Sequence, residues 1–190
     1  MALDKATTAL LVIDAIDPVG VDSLHTDKVY DPQDANEAYR LNVAKVVDMA
    51  HEAGLPVIFS NDQHVPAYDN ELKLWGEHGI KDKMVIIPEC NVLDTDIVIP
   101  KRRYDGFFQT DLDLTLRELG VDTIIAVGAD SNICVLHTLA GAYYRNYKIV
   151  VVEDATYTFL CGTQEAAVEH YVKCYDAQLV KVDELKDMLA

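Results

Sequence analysis

Six short runs of apolar, largely β-branched residues are spaced along the chain: Ala9–Ile13, Pro56–Phe59, Ile97–Ile99, Thr123–Val127, Ile149–Val152 and Ala177–Val182. None shows strict polar–apolar alternation over its length, and each is too short for a buried helix. Such runs read as strands covered on both faces, the pattern of a parallel sheet. The segments between them carry helical spacing instead. Val43, Val46, Val47 and Ala50 share one face before a stop at Gly54, and Leu136, Leu139, Ala140 and Tyr143 share another. Val168, Tyr171, Val172 and Tyr175 mark a further helix, and Thr110-Asp111-Leu112-Asp113 reads as a capping box whose helix closes at Gly120. Strands alternating with helices predict a three-layer α/β/α architecture. Residues 18–33, after Pro18 and before the first helix, read as loop, and 65–95 as a loop-rich insertion of a length that usually carries function.

A chain of 190 residues is enough for one full core, so a single domain over 1–190 is expected. Sixteen basic against thirty-two acidic side chains leave a net charge of −16. Such a surface repels phosphate backbones and anionic lipid, so neither nucleic acid nor membrane is the expected partner. The cysteines Cys90, Cys134, Cys161 and Cys174 have no C-x-x-C spacing, and no signal-like or membrane-length apolar run is visible. A cytoplasmic location is the expectation. Apolar and aromatic residues around 142–160 suggest a homo-oligomer interface.

In parallel α/β sheets ligands bind at the carboxyl ends of the strands. Here those ends carry Asp14, Asp62 with His64, Lys101, and the turn Asp130-Ser131-Asn132-Ile133-Cys134. Cys134 falls in the first turn of a helix, where free N–H groups and the helix dipole favour a thiolate and lower the thiol pKa. The expected chemistry is nucleophilic: Asp14 takes the Cys134 proton, Lys101 tunes both groups, and the N–H groups of Asp130 and Cys134 hold an oxyanion. Simpler readings stand beside these, with Cys134 as a core residue, Asp14 as a cap, and Lys101 on a solvated face with Arg102 and Arg103. His137, one turn after Cys134, reads as a packed histidine, and Cys161 as a weaker rival nucleophile.

Three blocks carry a family resemblance: Ala9–Asp14, Lys101 with Tyr104–Leu112, and Gly128–Val135. Together they resemble the isochorismatase-like cysteine hydrolases over nearly the whole chain. The resemblance implies a six-stranded, mostly parallel, Rossmann-like sheet and a catalytic triad of Asp14, Lys101 and Cys134. It also implies a non-proline cis peptide between Ala129 and Asp130, although Asp is unusual there. Members that cleave the vinyl ether of isochorismate lack the cysteine, so its presence points to a small-molecule amide substrate.

Nicotinamidases of this family bind a divalent metal, and Asp62-Gln63-His64 and Trp75-Gly76-Glu77-His78 resemble their ligand pattern. Zinc or a similar ion at Asp62, His64 and His78 is the implied cofactor, with no fourth ligand evident, while the triad itself requires none. Ile16 and Val19 stand where nicotinamidases have a glutamine and a ring-stacking aromatic. The Trp-Gly-x-His version and the 142–154 region are closer to proteins described as N-carbamoylsarcosine amidase-like. A carbamoyl or other small amide is therefore placed ahead of nicotinamide, with Trp75 and Arg102 as candidate grips on a substrate ring or carboxylate. A non-catalytic binding module is the remaining alternative, disfavoured because the loop after Val127 lacks a glycine-rich phosphate motif.

Overall fold

A computed structural model describes residues 2–17 and 34–190. The loop expected over 18–33, with Val19 in it, lies outside the described residues.

Six strands form one sheet: β1 (Thr8–Ile13), β2 (Val57–Asp62), β3 (Ile97–Lys101), β4 (Thr123–Ala129), β5 (Lys148–Tyr157) and β6 (Gln178–Val180). Their order is β3-β2-β1-β4-β5-β6, and every pairing is parallel. The helices are α1 (Asp34–Ala53), a single turn α2 (Leu72–Trp75), α3 (Leu112–Glu118), α4 (Leu136–Tyr144), α5 (Gln164–Tyr175) and α6 (Val182–Met188). They divide between the two faces, as continuous strand hydrophobicity requires. Leu10, Val12, Phe59, Ile125 and Val127 pack with α1 and α6 residues such as Val43, Val47 and Leu185. Their strand neighbours Leu11, Ile13, Ile58, Ile124 and Ala126 pack on the other face with Leu112, Leu116, Leu139 and Tyr171.

The strand order reverses direction between β1 and β4, which makes the gap between their carboxyl ends the topological switch point. Asp14 follows β1 directly and Cys134 follows β4 within five residues, so the two flank that gap. Gly128 is required for the close approach: its φ is +129°, and a Cβ there would lie 1.9 Å from the Ile13 carbonyl oxygen. Beyond Ala126 a two-residue step on β4 faces a five-residue step on β5, and this bulge carries Tyr157 alongside Ala129.

The expected capping box at 110–113 does not form. Asp111 is the N-cap of α3 but makes no side-chain cap. The Thr110 hydroxyl instead donates back to the Gly106 carbonyl and accepts the Leu112 N–H at 3.3 Å. Local geometry in the tight 106–112 turn prevails over the capping pattern. No described helix is long and apolar enough to cross a membrane.

Candidate active site

The site begins at three strand ends. Asp14 leaves β1 with φ of +46°, which turns its carboxylate across the end of the sheet, where Oδ1 accepts the Asp62 N–H at 2.7 Å. Lys101 ends β3 in register with Asp62 on β2, and its long stem carries the ammonium over that strand toward β1. Its Nζ reaches Asp14 Oδ2 at 2.5 Å, donates to Asp62 Oδ1, and stands 3.6 Å from Cys134 Sγ. Asp14, Asp62 and Cys134 present atoms within 4.8 Å of one another. The three groups expected to meet are thus brought together, and Asp62 joins them.

Charge follows from this geometry. Burial pushes the Asp14 carboxyl up, and Asp62 beside it adds to the rise; Lys101 offsets part of this, leaving a value of about 6. Burial would also raise Asp62, but Lys101 and His64 hold it well below the usual carboxylate range. Desolvation works against the Lys101 ammonium, yet the two carboxylates keep it well above its ordinary value. Cys134 departs from the expectation. Burial raises its thiol well above the usual value, and Lys101 offsets this only partly, with Asp14 and Asp62 adding to the rise. Burial thus works against the thiolate that the helix terminus was expected to favour.

The turn that carries Cys134 is a π turn, Ser131–Val135, leading into α4. Asp130 caps it, its Oδ1 accepting the Asn132 N–H at 2.7 Å. The Asp130 carbonyl accepts from both Ile133 N–H and Val135 N–H at 3.1 Å, skipping the residue between. Among the described residues the Asp130 N–H has no backbone acceptor, and the Asp130 carbonyl, which an α turn would give to the Cys134 N–H, goes to Ile133 and Val135 instead. The Ala129–Asp130 peptide is cis, at the position the family resemblance implies. The Asp130 and Cys134 N–H groups thus belong to the turn that carries the sulfur, where an oxyanion would need donors.

A second cluster borders the first. His64 is fixed beyond β2 by its N–H to the Gly79 carbonyl at 2.8 Å, which folds the 76–80 segment over the strand end. His78 lies on that segment, its Nδ1 2.9 Å from the Gly76 carbonyl, leaving Nε2 directed at Asp62 (3.8 Å). Glu71, at the N-cap of α2, completes the group: its Oε1 is 3.7 Å from both His64 Nε2 and His78 Nε2. One ligand atom from each of Asp62, His64, Glu71 and His78 lies within 4.8 Å of all the others. Both ring nitrogens of His64 and Glu71 Oε1 are buried without a hydrogen-bond partner. Orphaned imidazole and carboxylate atoms in a tetrad of this size fit a zinc-like divalent ion. Sequence reasoning missed Glu71. Its signal was weak: an acidic residue four before Trp75 and seven before His78, in a segment read as loop.

The cavity over both clusters is walled by Ile16, Trp75, Tyr104, Ile133, Phe159 and Leu160. Trp75 is held there by its indole N–H to the Tyr104 hydroxyl, 2.8 Å. Arg102, expected at the substrate, does not line the cavity. It is turned outward onto Asp69, with Nε 2.8 Å from Oδ1, and lies over the Tyr68 ring. The buried Asp69 carboxylate is a stronger attraction for a guanidinium than an apolar cavity. His137 is hydrogen-bonded as expected, its Nδ1 2.7 Å from the Ile133 carbonyl, but it is exposed rather than packed, because its position on α4 faces solvent. Cys161 lies outside the cavity-lining set.

A six-stranded parallel sheet with an acid, an amine and a thiol converging at its switch point is the frame of an α/β cysteine hydrolase. Residues 8–183 match the isochorismatase domain. The ureidoacrylate amidohydrolase RutB of Methylobacterium radiotolerans is 31% identical over 179 residues, covering 83% of this chain and 69% of that protein. Among solved structures, N-carbamoylsarcosine amidase from Thermoplasma acidophilum is 34% identical with a TM-score of 0.78, covering 93% of this chain and 97% of that one. The pyrazinamidase/nicotinamidase of Streptococcus mutans is 27% identical with a TM-score of 0.75, covering 92% and 100%. The chain belongs to the isochorismatase domain family, and it stands there among amidohydrolases, enzymes acting on C–N bonds.

Proposed function

We propose that the protein hydrolyses the terminal amide of a small carbamoyl compound through an S-acyl intermediate on Cys134, a thiocarbamate for a carbamoyl substrate, releasing ammonia. The observation that carries the reading is the placement of Lys101 Nζ between Asp14 Oδ2 and Cys134 Sγ, with the sulfur on a capped turn at the switch point. Asp14, with a carboxyl near 6, is ionised at neutral pH and is a stronger base than an exposed carboxylate. As the Cys134 sulfur attacks the carbonyl carbon, Asp14 accepts the thiol proton. The carbonyl oxygen becomes an oxyanion facing the Asp130 and Cys134 N–H groups. The C–N bond then breaks, and Asp14 passes the proton to the departing nitrogen. Water attacks the S-acyl carbon in the second half, with Asp14 taking its proton and returning one to sulfur as the C–S bond breaks. Lys101 stays charged throughout and balances the negative charge that moves between Asp14 and sulfur.

The carbamoyl class is supported by the relatives, since ureidoacrylate and N-carbamoylsarcosine both end in that group. Asp62, His64, Glu71 and His78 would hold a zinc-like ion, which when bound supplies a Lewis acid at the cavity floor. The four-residue ligand set and the aromatic walls favour a second reading, a metal-dependent nicotinamidase.

Ammonia release from 3-ureidoacrylate, N-carbamoylsarcosine, N-carbamoylglycine and nicotinamide separates the two. Turnover of the ureido acids, lost in Cys134→Ala, is the expected result. Turnover of nicotinamide alone would replace the first reading with the second, and activity retained in Cys134→Ala would overturn both.

A further inference from the structure

The Asp130 carboxylate plays no part in the chemistry above, yet it is buried and its oxygens are heavily used. Oδ1 accepts the Asn132 N–H at 2.7 Å and has the Thr158 hydroxyl at 3.1 Å. Oδ2 accepts the backbone N–H groups of both Phe159 and Leu160, each at 2.7 Å. Capping the π turn requires one acceptor, which serine or asparagine would supply equally well. The second oxygen serves a different segment, 29 and 30 residues further along the chain, whose side chains form part of the cavity wall. Asn132 braces the same junction, its amide donating to Thr158 Oγ1 at 2.9 Å.

We propose that Asp130 is a positioning residue that locks the Phe159–Leu160 wall to the oxyanion turn and so sets which acyl group the cavity accepts. One residue thus carries, on its backbone, a donor beside the sulfur and, on its side chain, the anchor of the specificity wall. Two backbone N–H groups converge on a single oxygen, and only an acceptor can sit between them. An asparagine that keeps its oxygen on Asn132 would place an NH₂ group against two donors and release the wall, while the helix cap survives.

The use of the oxyanion turn rests on the amidohydrolase reading, but alkylation of Cys134 tests the wall without it. Rates are measured by mass spectrometry with iodoacetamide and with N-phenyliodoacetamide, and the exposed Cys174 reports intrinsic reagent reactivity. The wild-type protein is expected to favour the phenyl reagent at Cys134 relative to Cys174. Asp130→Asn is expected to reduce that preference by about tenfold, the scale of losing charge-assisted hydrogen bonds. Phe159→Ala should reduce it similarly, and the double variant no further, because both act through one wall. A preference unchanged in Asp130→Asn, or losses that multiply in the double variant, would overturn the proposal. Should Asp130→Asn fail to fold, Thr158→Val removes one brace; a smaller fall is expected, and none would count against the role. Wild-type protein inactive on every amide tested would remove the hydrolase reading while leaving the reagent preference to judge Asp130.

Discussion

Lys101 Nζ stands 2.5 Å from Asp14 Oδ2, a contact between residues from an edge strand and a central strand, made across the end of the strand between them. The ammonium has no exposure, and its ion-pair partners among the described residues are the Asp14 and Asp62 carboxylates. That single contact sets the proton affinity of the proposed base and the electrostatic setting of the nucleophile. It is also the most economical place to test the site.

The acid limb of the pH profile should follow Asp14. Its carboxyl lies at about 6, and only the ionised form accepts the thiol proton. kcat/KM is therefore expected to be level above that value and to fall about tenfold per pH unit below it. A profile still flat at pH 4.5 would exclude Asp14 as the base.

Lys101→Met should raise that limb. The ammonium lowers the Asp14 carboxyl, so its loss leaves Asp14 facing Asp62 with no compensating charge and moves the limb above pH 6. Removing one member of a buried ion group also costs roughly 3–5 kcal/mol of stability. Denaturant unfolding and the pH profile of the same variant check both effects.

Metal affinity should depend on the residue that sequence reading missed. The chain is expected to take up one zinc or cobalt ion, and Glu71→Gln to weaken it by more than about tenfold. Cobalt absorption and metal content after dialysis provide the readout. Equal uptake by wild type and by a Glu71→Gln/His78→Ala variant would rule out this tetrad as the site.

Gly128→Ala should be severe without touching a reacting group. The new methyl would meet the Ile13 carbonyl and the backbone would be held at φ of +129°. A loss of roughly 3 kcal/mol or more is expected in denaturant unfolding. A variant as stable as the wild type would show that β1 and β4 have room to separate.

The strands and the convergence of Asp14, Lys101 and Cys134 were legible because each depends on chain-local signals: unbroken apolar runs, and polar residues at or just beyond their ends. Asp14, Lys101 and Cys134 sit at such ends, and the fold rule about carboxyl termini does the rest. Glu71 and the role of Asp130 were not legible. Glu71 is made a ligand candidate by a single helical turn folded back over β2, and nothing periodic announces a four-residue helix. Asp130 was read as an N–H donor; its side chain caps the turn, and its bonds to Phe159 and Leu160 join segments that the β5 bulge brings together. Arg102 misled for the opposite reason: its position beside Lys101 suggested the cavity, while Asp69, distant in sequence, turned it away. The thiol of Cys134 was expected to be acidic from its place on a helix, and the depth of its burial reversed the sign.

The π turn at Ser131–Val135 is one residue wider than an α turn, and the Val135 N–H therefore closes on Asp130 rather than on Ser131. The arithmetic of that ring takes from the Cys134 N–H the Asp130 carbonyl that an α turn would give it. Trimming a single residue between 130 and 135 would restore an ordinary ladder and consume that donor. The enzyme would then keep a sulfur in place with no partner for the charge that bond-making creates.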